Sequence, residues 1–125
     1  VVNGNPAMAY RNGSLDIRYR RATDANGTTW GSAVNPGMNN VNATQEPVTL
    51  EIVNGNPAIA TFEGFNNNYN AQYIRASNAD GSAWGTLVSV DGGFGGNMQT
   101  TMAYIGGNPA MAYYSRGLGD LLYSQ

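Results

Sequence analysis

The sequence has no cysteine, no histidine and no lysine, and these absences exclude several kinds of site. Without cysteine and histidine, the chain cannot form a disulfide, a Cys/His zinc site, a thiol nucleophile or a Ser-His-Asp triad. The six basic residues are all arginine and scattered, and the net charge of −2 gives no long-range attraction for nucleic acid. No apolar run approaches the ~18 residues of a membrane-spanning helix. We therefore expect no cofactor, no metal, no nucleic-acid partner and no membrane insertion.

The composition is typical of one folded region. Of the 125 residues, 42% are hydrophobic and only 11% are charged, which suits a modest core and not a disordered chain. Asparagine, glycine, threonine and serine dominate, as they do in many exported bacterial surface proteins. By this compositional analogy we expect an extracellular or cell-surface protein of a bacterium.

A short segment is repeated along the chain. NGNPA stands at 3–7 and 54–58, and GGNPA stands at 106–110. The prolines of these segments are 51 and 52 positions apart, and aromatic residues recur with a similar period. The recurring aromatic residues are Tyr19, Tyr73 and Tyr123, and Trp30 and Trp84. A period of this size indicates structural repeats, with approximate units at 1–51 and 52–104 and a partial unit at 105–125.

Each unit is predicted to contain four short strands. The first strand is expected at 48–53 and again at 100–105, and it ends at Asn54-Gly55 in the second unit. Asn-Gly is the strongest signal for a two-residue type I′ hairpin, because both central residues need positive φ. The second strand begins at the repeated proline. The third strand is expected at 15–22, 71–76 and 120–125, and the fourth begins at Trp30 and Trp84.

The second strand alternates small and large side chains. Side chains of a strand point to opposite faces in turn, so the alanines share one face and the large residues share the other. The alanines are Ala7 and Ala9, Ala58 and Ala60, and Ala110 and Ala112, and the large residues are Met8, Ile59 and Met111. We expect the small-residue face of one sheet to pack closely against the bulky face of its neighbour.

Four antiparallel strands per ~51 residues, with no helical periodicity, predict an all-β fold made of β-propeller blades. A parallel β-helix would need shorter coils, and a sandwich would not repeat so literally, whereas a coincidental β-meander stays open as an alternative. Two and a half units cannot close a ring, which takes four to eight blades. We therefore expect completion by homo-oligomerisation or by flanking sequence of a longer repeat chain.

Two segments connect the predicted third and fourth strands. They read Ala-Thr-Asp-Ala-Asn-Gly-Thr-Thr-Trp at 22–30 and Ala-Ser-Asn-Ala-Asp-Gly-Ser-Ala-Trp at 76–84. Both resemble the Asp-box, S/T-x-D-(x)-G-x-T-W, of bacterial secreted and surface β-propellers of the sialidase (BNR) type. Alanine replaces the usual Ser/Thr in both, and the second copy also has Asn78 for the Asp and Ala83 for the Thr. The matching residues are Asp24, Gly27, Trp30, Asn78, Gly81 and Trp84.

The resemblance implies that these six residues stabilise the turn and do not perform catalysis. A short acidic or amide side chain accepts hydrogen bonds within its own turn, glycine supplies positive φ, and tryptophan packs on the blade. The alternative is a truncated calcium loop, which we consider weaker because each segment offers too few oxygens for six or more ligand positions.

The connections between the second and third strands, and between the fourth strand and the next first strand, vary between units. Variable loops on a repeated scaffold are the usual place for binding. The candidate ligand-binding residues there are Arg11, Gln45, Phe65, Asn66, Asn67, Asn68, Tyr69, Asp91, Phe94 and Arg116. Aromatic rings stack on sugar rings, and amide, arginine and carboxylate groups bind hydroxyls, so glycans are possible partners. The alternative is that these loops are solvated turns.

Catalysis is not expected. A glycoside hydrolase needs two carboxylates at a set separation, and the acidic residues near the variable loops (Glu46, Glu63, Asp91 and Asp120) show no pairing in sequence. The resemblance to sialidases implies an arginine cluster and a tyrosine nucleophile, but Arg21 and Arg75 recur at equivalent positions away from these loops. The recurring tyrosines are predicted to be core. We expect a non-catalytic binding or adhesion module, with a lectin, a self-assembling structural repeat and a degenerate glycosidase as alternatives.

Overall fold

The computed structural model describes residues 1–39, 47–65, 68–94, 99–115 and 117–125, and the regular structure in these ranges is β-strand. The strands are β1 (Ala7–Arg11), β2 (Ile17–Arg21), β3 (Thr49–Val53), β4 (Asn56–Phe65), β5 (Asn68–Arg75), β6 (Val88–Phe94), β7 (Gln99–Ile105), β8 (Asn108–Ser115) and β9 (Asp120–Ser124). The all-β class is therefore confirmed. Within the same ranges the chain forms no helix with the length and apolar character needed to cross a membrane.

The strands form three antiparallel sheets in chain order. Sheet 1 consists of β1 and β2, sheet 2 of β3, β4, β5 and β6, and sheet 3 of β7, β8 and β9. Sheet 2 has the four antiparallel strands expected for one complete unit. None of the three sheets closes on itself, and the closed ring of a propeller stays a prediction.

Tight hairpins separate the first and second strands of each unit, as predicted. Asn54 and Gly55 have φ angles of 47° and 77°, and both residues of the pairs at 3–4 and 106–107 are also in the positive-φ region. Positive φ at both central residues is the requirement of a type I′ turn. In the first unit Val2 pairs with Asn5 across the turn.

The prediction of a fourth strand in the first unit is wrong. Within the described residues 30–39 the chain forms only isolated bridges, between Ala22 and Trp30 and between Tyr19 and Val34. The physical reason lies in Asn35-Pro36-Gly37, because proline cannot donate to a strand ladder and Gly37 has a φ of 101°. The second unit has no proline at this point and forms the regular strand β6, although that strand begins at Val88 and not at Trp84.

The sheets pack as the alternation predicts. The alanine face of sheet 1 (Ala7 and Ala9) packs on a buried cluster that includes Ile59 of sheet 2. The opposite face of sheet 2, with Ala58 and Ala60, shares a second buried cluster with Met111 of sheet 3. Because alanine leaves space beside the strand, the large side chain of the next sheet can fill it at the density of a protein interior.

The recurring tyrosines differ in burial. Tyr19 is buried between sheets 1 and 2, and Tyr73 is half-buried. The prediction that Tyr123 belongs to the core is wrong, because this side chain is 59% exposed. It lies on the face of sheet 3 that points away from sheet 2, where no other described sheet packs against it.

Candidate functional site

The two ends of the sheets differ in character. At one end, here called the turn end, the hairpins and the tight turns at 23–30 and 77–84 lie together. The backbone N–H of Ala22 donates to the Pro6 carbonyl at 2.8 Å, and that of Ala76 donates to the Pro57 carbonyl at 2.8 Å. The opposite end, here called the loop end, carries the connections between β1 and β2, β4 and β5, β6 and β7, and β8 and β9.

The first tight turn is organised by Asp24. Its carboxylate accepts hydrogen bonds from the backbone N–H groups of Asn26, Thr28 and Thr29 at 2.8 to 3.1 Å. It also accepts from the hydroxyls of Thr28 and Thr29 at 2.9 and 2.8 Å. These bonds, led by the Thr29 hydroxyl, hold the pKa of Asp24 well below its usual range. A carboxylate that already accepts five hydrogen bonds argues against the calcium-loop alternative.

The second tight turn divides the same task between two side chains. The Asn78 amide oxygen accepts from the Ala83 N–H at 3.3 Å, and its amide nitrogen donates to the Ser82 hydroxyl at 2.7 Å. Asp80 accepts from the backbone N–H and the hydroxyl of Ser82, which lowers its pKa. The looser sequence of this copy therefore still produces a hydrogen-bonded turn.

The glycine and tryptophan of each turn act together. Gly27 and Gly81 have φ angles of 72° and 77°, as the resemblance implied. The indole N–H of Trp30 donates to the Gly27 carbonyl at 3.0 Å, and that of Trp84 donates to the Gly81 carbonyl at 2.9 Å. Trp84 also packs against the core cluster between sheets 1 and 2.

Tyr19 connects sheet 1 to the second tight turn. Its hydroxyl donates to the Asp80 backbone carbonyl at 2.9 Å, and its ring meets Trp84 edge-to-face at a centroid distance of 5.3 Å. The ring also lies so close to Gly81 that a Cβ there would be 2.5 Å from Cε1 of Tyr19. Burial raises the pKa of Tyr19 to about 12, so the hydroxyl remains a donor throughout the physiological range.

Two residues of the turn end were missed by sequence reasoning. The side-chain amides of Asn5 and Asn56 donate to the carbonyls of Ala22 and Ala76, each at 2.9 Å, and so join the hairpin to the tight turn. The available signal was the asparagine that precedes the proline in every copy of the repeated segment.

Arg21 serves the scaffold. Its Nε and Nη2 donate to the backbone carbonyls of Val2 and Asn3 at 2.8 and 2.7 Å. It therefore joins β2 to the hairpin at 2–5, in agreement with the expected structural role. The equivalent Arg75 differs, because its Nε is buried without a hydrogen-bond partner among the described residues.

For most candidate ligand-binding residues the structure does not describe the side chain. Gln45, Asn66, Asn67 and Arg116, and also Glu46, lie outside the described residues. For Phe65, Asn68 and Phe94 the backbone alone is described. The strand register places Phe65 opposite Asn68, and Tyr69 opposite both Gly64 and Phe94, so these four candidates share the loop end of sheet 2.

The described candidate side chains are partly engaged in the fold. Tyr69 is half-buried and packs against the cluster between sheets 2 and 3. Asp91 accepts a hydrogen bond from the buried hydroxyl of Tyr113 at 2.8 Å and thereby joins sheet 2 to sheet 3. Arg11 is half-buried at the end of β1 in sheet 1. The structure therefore does not bring these three side chains into one cluster on sheet 2.

Two carboxylates of the loop end, Asp91 and Glu63, lie on opposite faces of sheet 2. Asp91 lies on the face of sheet 2 that contacts Tyr113 of sheet 3, whereas Glu63 bonds to Gln72 on the opposite face. These two acids cannot flank one glycosidic bond as an acid and base pair must. In the described part of the chain, no three acidic side chains are grouped to hold a metal ion.

Comparison with known proteins gives no assignment: no protein-family model matches the chain, and neither a curated protein nor a solved structure matches it.

The contact between Tyr19 and Gly81 predicts an unequal cost for two glycine substitutions. Gly55 and Gly81 both have a φ of 77°, but nothing lies within 4 Å of a Cβ placed at Gly55. Gly55→Ala should therefore lower the free energy of unfolding only through backbone strain, by roughly 1–2 kcal/mol. Gly81→Ala should lower it by about 1–3 kcal/mol more, because the Tyr19 ring must move. Urea unfolding measures both, and equal costs would contradict the contact.

The hydrogen bonds of Asp24 predict a pH-dependent contribution to stability. The pKa of Asp24 is lower in the folded state than in the unfolded state, so its carboxylate stabilises the fold at pH values above the unfolded-state pKa of about 4. This stabilisation is lost as the pH falls towards the folded-state pKa. Asp24→Asn should lower the thermal midpoint at neutral pH, and the gap to wild type should narrow below about pH 4. Asp120→Asn is the control. A gap that stays constant down to about pH 2 would refute the assignment.

Proposed function

We propose that the chain is a non-catalytic binding module of the β-propeller type, which acts on the surface of a bacterium or outside it. The observation that carries the proposal is the division between the two ends of the sheets. At the turn end, equivalent hydrogen bonds recur from unit to unit, whereas the connections of the loop end differ in length and sequence. A constant scaffold with variable loops is the usual organisation of a binding protein.

The turn geometry supports the likeness to Asp-box propellers. The carboxylate of Asp24 bonds within its own turn, glycine has positive φ, and the tryptophan folds back onto it. The sequential four-strand order of sheet 2 is that of one propeller blade. In this interpretation, the three sheets are successive blades of a ring that further blades complete.

The proposed ligand class is carbohydrate. The strand register of sheet 2 brings Phe65, Asn68, Tyr69 and Phe94 to neighbouring backbone positions at the loop end. In the sequence, Asn66 and Asn67 stand between Phe65 and Asn68. Aromatic faces and planar amides are suited to the apolar faces and the hydroxyls of sugars. A degenerate glycosidase is less well supported, because Glu63 and Asp91 lie on opposite faces and Arg21 is bound to backbone carbonyls.

Glycan-array screening followed by calorimetry tests this function. We expect binding to at least one glycan, and Phe65→Ala or Asn67→Ala should weaken it roughly 3- to 10-fold, since one lost stacking or hydrogen-bond contact is worth about 0.5–1.5 kcal/mol. Asn26→Ala is the matched control, because Asn26 is an exposed asparagine of the turn end. Its binding should equal that of wild type.

Two outcomes would refute the proposal. If no glycan binds, or if Asn26→Ala weakens binding as much as Asn67→Ala, the loop end is not a sugar site. Turnover of a fluorogenic sialoside by the wild-type chain would contradict the non-catalytic part.

A further inference from the structure

One type of packing occurs twice within the chain. The alanine face of sheet 1 packs on the Ile59 face of sheet 2, and the alanine face of sheet 2 packs on the Met111 face of sheet 3. We call the face with the paired alanines the alanine face, and the face with the large residue of the same strand the bulky face. Each sheet therefore offers one alanine face and one bulky face, and the contact is always between unlike faces.

Sheet 3 has a third alanine face, with Ala110 and Ala112, that no described sheet covers. Large apolar side chains surround these alanines and are strongly exposed: Ile105 by 49%, Tyr114 by 43%, Leu121 by 76% and Tyr123 by 59%. The equivalent positions of sheet 2 include Val53, Phe62 and Ala71, which are all buried. Contiguous exposed apolar surface of this kind marks an interaction site.

Sheet 1 has the complementary surface. Its bulky face carries Met8 at the position of Ile59 and Met111, and Met8 is 41% exposed. Tyr10, Arg18 and Arg20 share this face. Neither buried cluster of the described residues includes a side chain of this face. The two unlike faces at the ends of the sheet series therefore both lie outside the packed core.

The contact between Tyr19 and the tight turn of the next sheet has two unpaired equivalents, a tyrosine on sheet 3 and a tight turn on sheet 1. Within the chain, Tyr19 of one sheet bonds to the Asp80 carbonyl and lies on Gly81 of the next sheet's turn. Tyr123 of sheet 3 is at the position of Tyr19, and Asn26 and Gly27 of the first turn are at the positions of Asp80 and Gly81.

The charges of the bulky face are compatible with burial against sheet 3. Arg18 pairs with Asp16 at 3.0 Å, and Nε of Arg20 donates to the Gly31 carbonyl at 2.9 Å. Both guanidinium groups thus have partners within the first repeat unit. Arginine stacks favourably on aromatic rings and is enriched at interfaces, and the alanine face of sheet 3 offers Tyr114 and Tyr123.

We propose that the alanine face of sheet 3 binds the bulky face of sheet 1 in a second copy of this chain, by the same packing that joins the sheets within one copy. Tyr123 of the first copy then meets the turn at Asn26 and Gly27 of the second. The contact joins unlike faces, so it is head-to-tail and can continue from copy to copy. It does not depend on the proposed ligand, and so goes beyond the function proposed above.

A complementation experiment tests this proposal. Sedimentation velocity of the wild type should show a mass that rises with concentration above the 13.2 kDa of one chain. Met8→Glu blocks the bulky face and Leu121→Glu blocks the alanine face, so each variant alone should remain monomeric. Their equimolar mixture retains one intact pair of faces and should form a one-to-one dimer that grows no further.

The control is Leu118→Glu, which places the same charge at a residue that is 61% exposed in the turn before β9, and it should associate as the wild type does. A wild type that stays monomeric, or a mixture that stays monomeric, would overturn the proposal. Association of Met8→Glu alone would also overturn it, because that result means contact between like faces.

A milder variant tests whether Tyr123 docks on the turn at Asn26 and Gly27. Adding Tyr123→Phe to the Met8→Glu chain, whose alanine face is used in the mixed dimer, should weaken the dimer roughly 3- to 10-fold through loss of one hydrogen bond. The same change in the Leu121→Glu chain, whose alanine face is blocked, should have no effect. An unchanged dissociation constant in the first case would refute the proposed docking of Tyr123.

Discussion

The arrangement of sheets 1 and 2 depends on one contact, in which the ring of Tyr19 lies directly on Gly81. No side chain can stand between the ring and the turn backbone, so the position of this glycine sets how closely the two sheets approach. The tyrosine hydroxyl then reaches the Asp80 carbonyl, and Trp84 meets the ring edge-to-face. A buried tyrosine whose hydroxyl is hydrogen-bonded, in edge-to-face contact with a half-buried tryptophan, is both strongly apolar and specific in orientation.

This contact depends on a second tight turn of fixed shape. A turn that receives the tyrosine of the preceding sheet has to keep its shape, and its amide and acidic groups, Asn78 and Asp80, do this through local hydrogen bonds. In the first turn Asp24 alone fulfils the same role. Side chains committed in this way are not free to act on a ligand, which supports assigning ligand binding to the opposite end.

Much of the scaffold could be predicted from sequence, because it depends on local rules. Asn54-Gly55 determines its turn through positive φ, and the alternation of alanines with Ile59 or Met111 determines which faces meet. The side chains that join one strand or turn to another could not be predicted as readily. Asn56 bonds across to Ala76, and Asp91 to Tyr113, through contacts between residues distant in sequence, and no periodicity reports such contacts. Tyr123 was assigned to the core by repetition, yet its burial depends on a neighbouring sheet.

The central claim is that sheets 1 and 2 are positioned by the ring of Tyr19, which lies on Gly81 of the second tight turn. The most direct test is a nuclear Overhauser measurement between the ring protons of Tyr19 and the α-protons of Gly81 in the folded chain. The structure predicts a strong cross-peak, because the ring is nearer to this glycine than a side chain would permit. The absence of that cross-peak, with the sheets otherwise formed, would contradict the account.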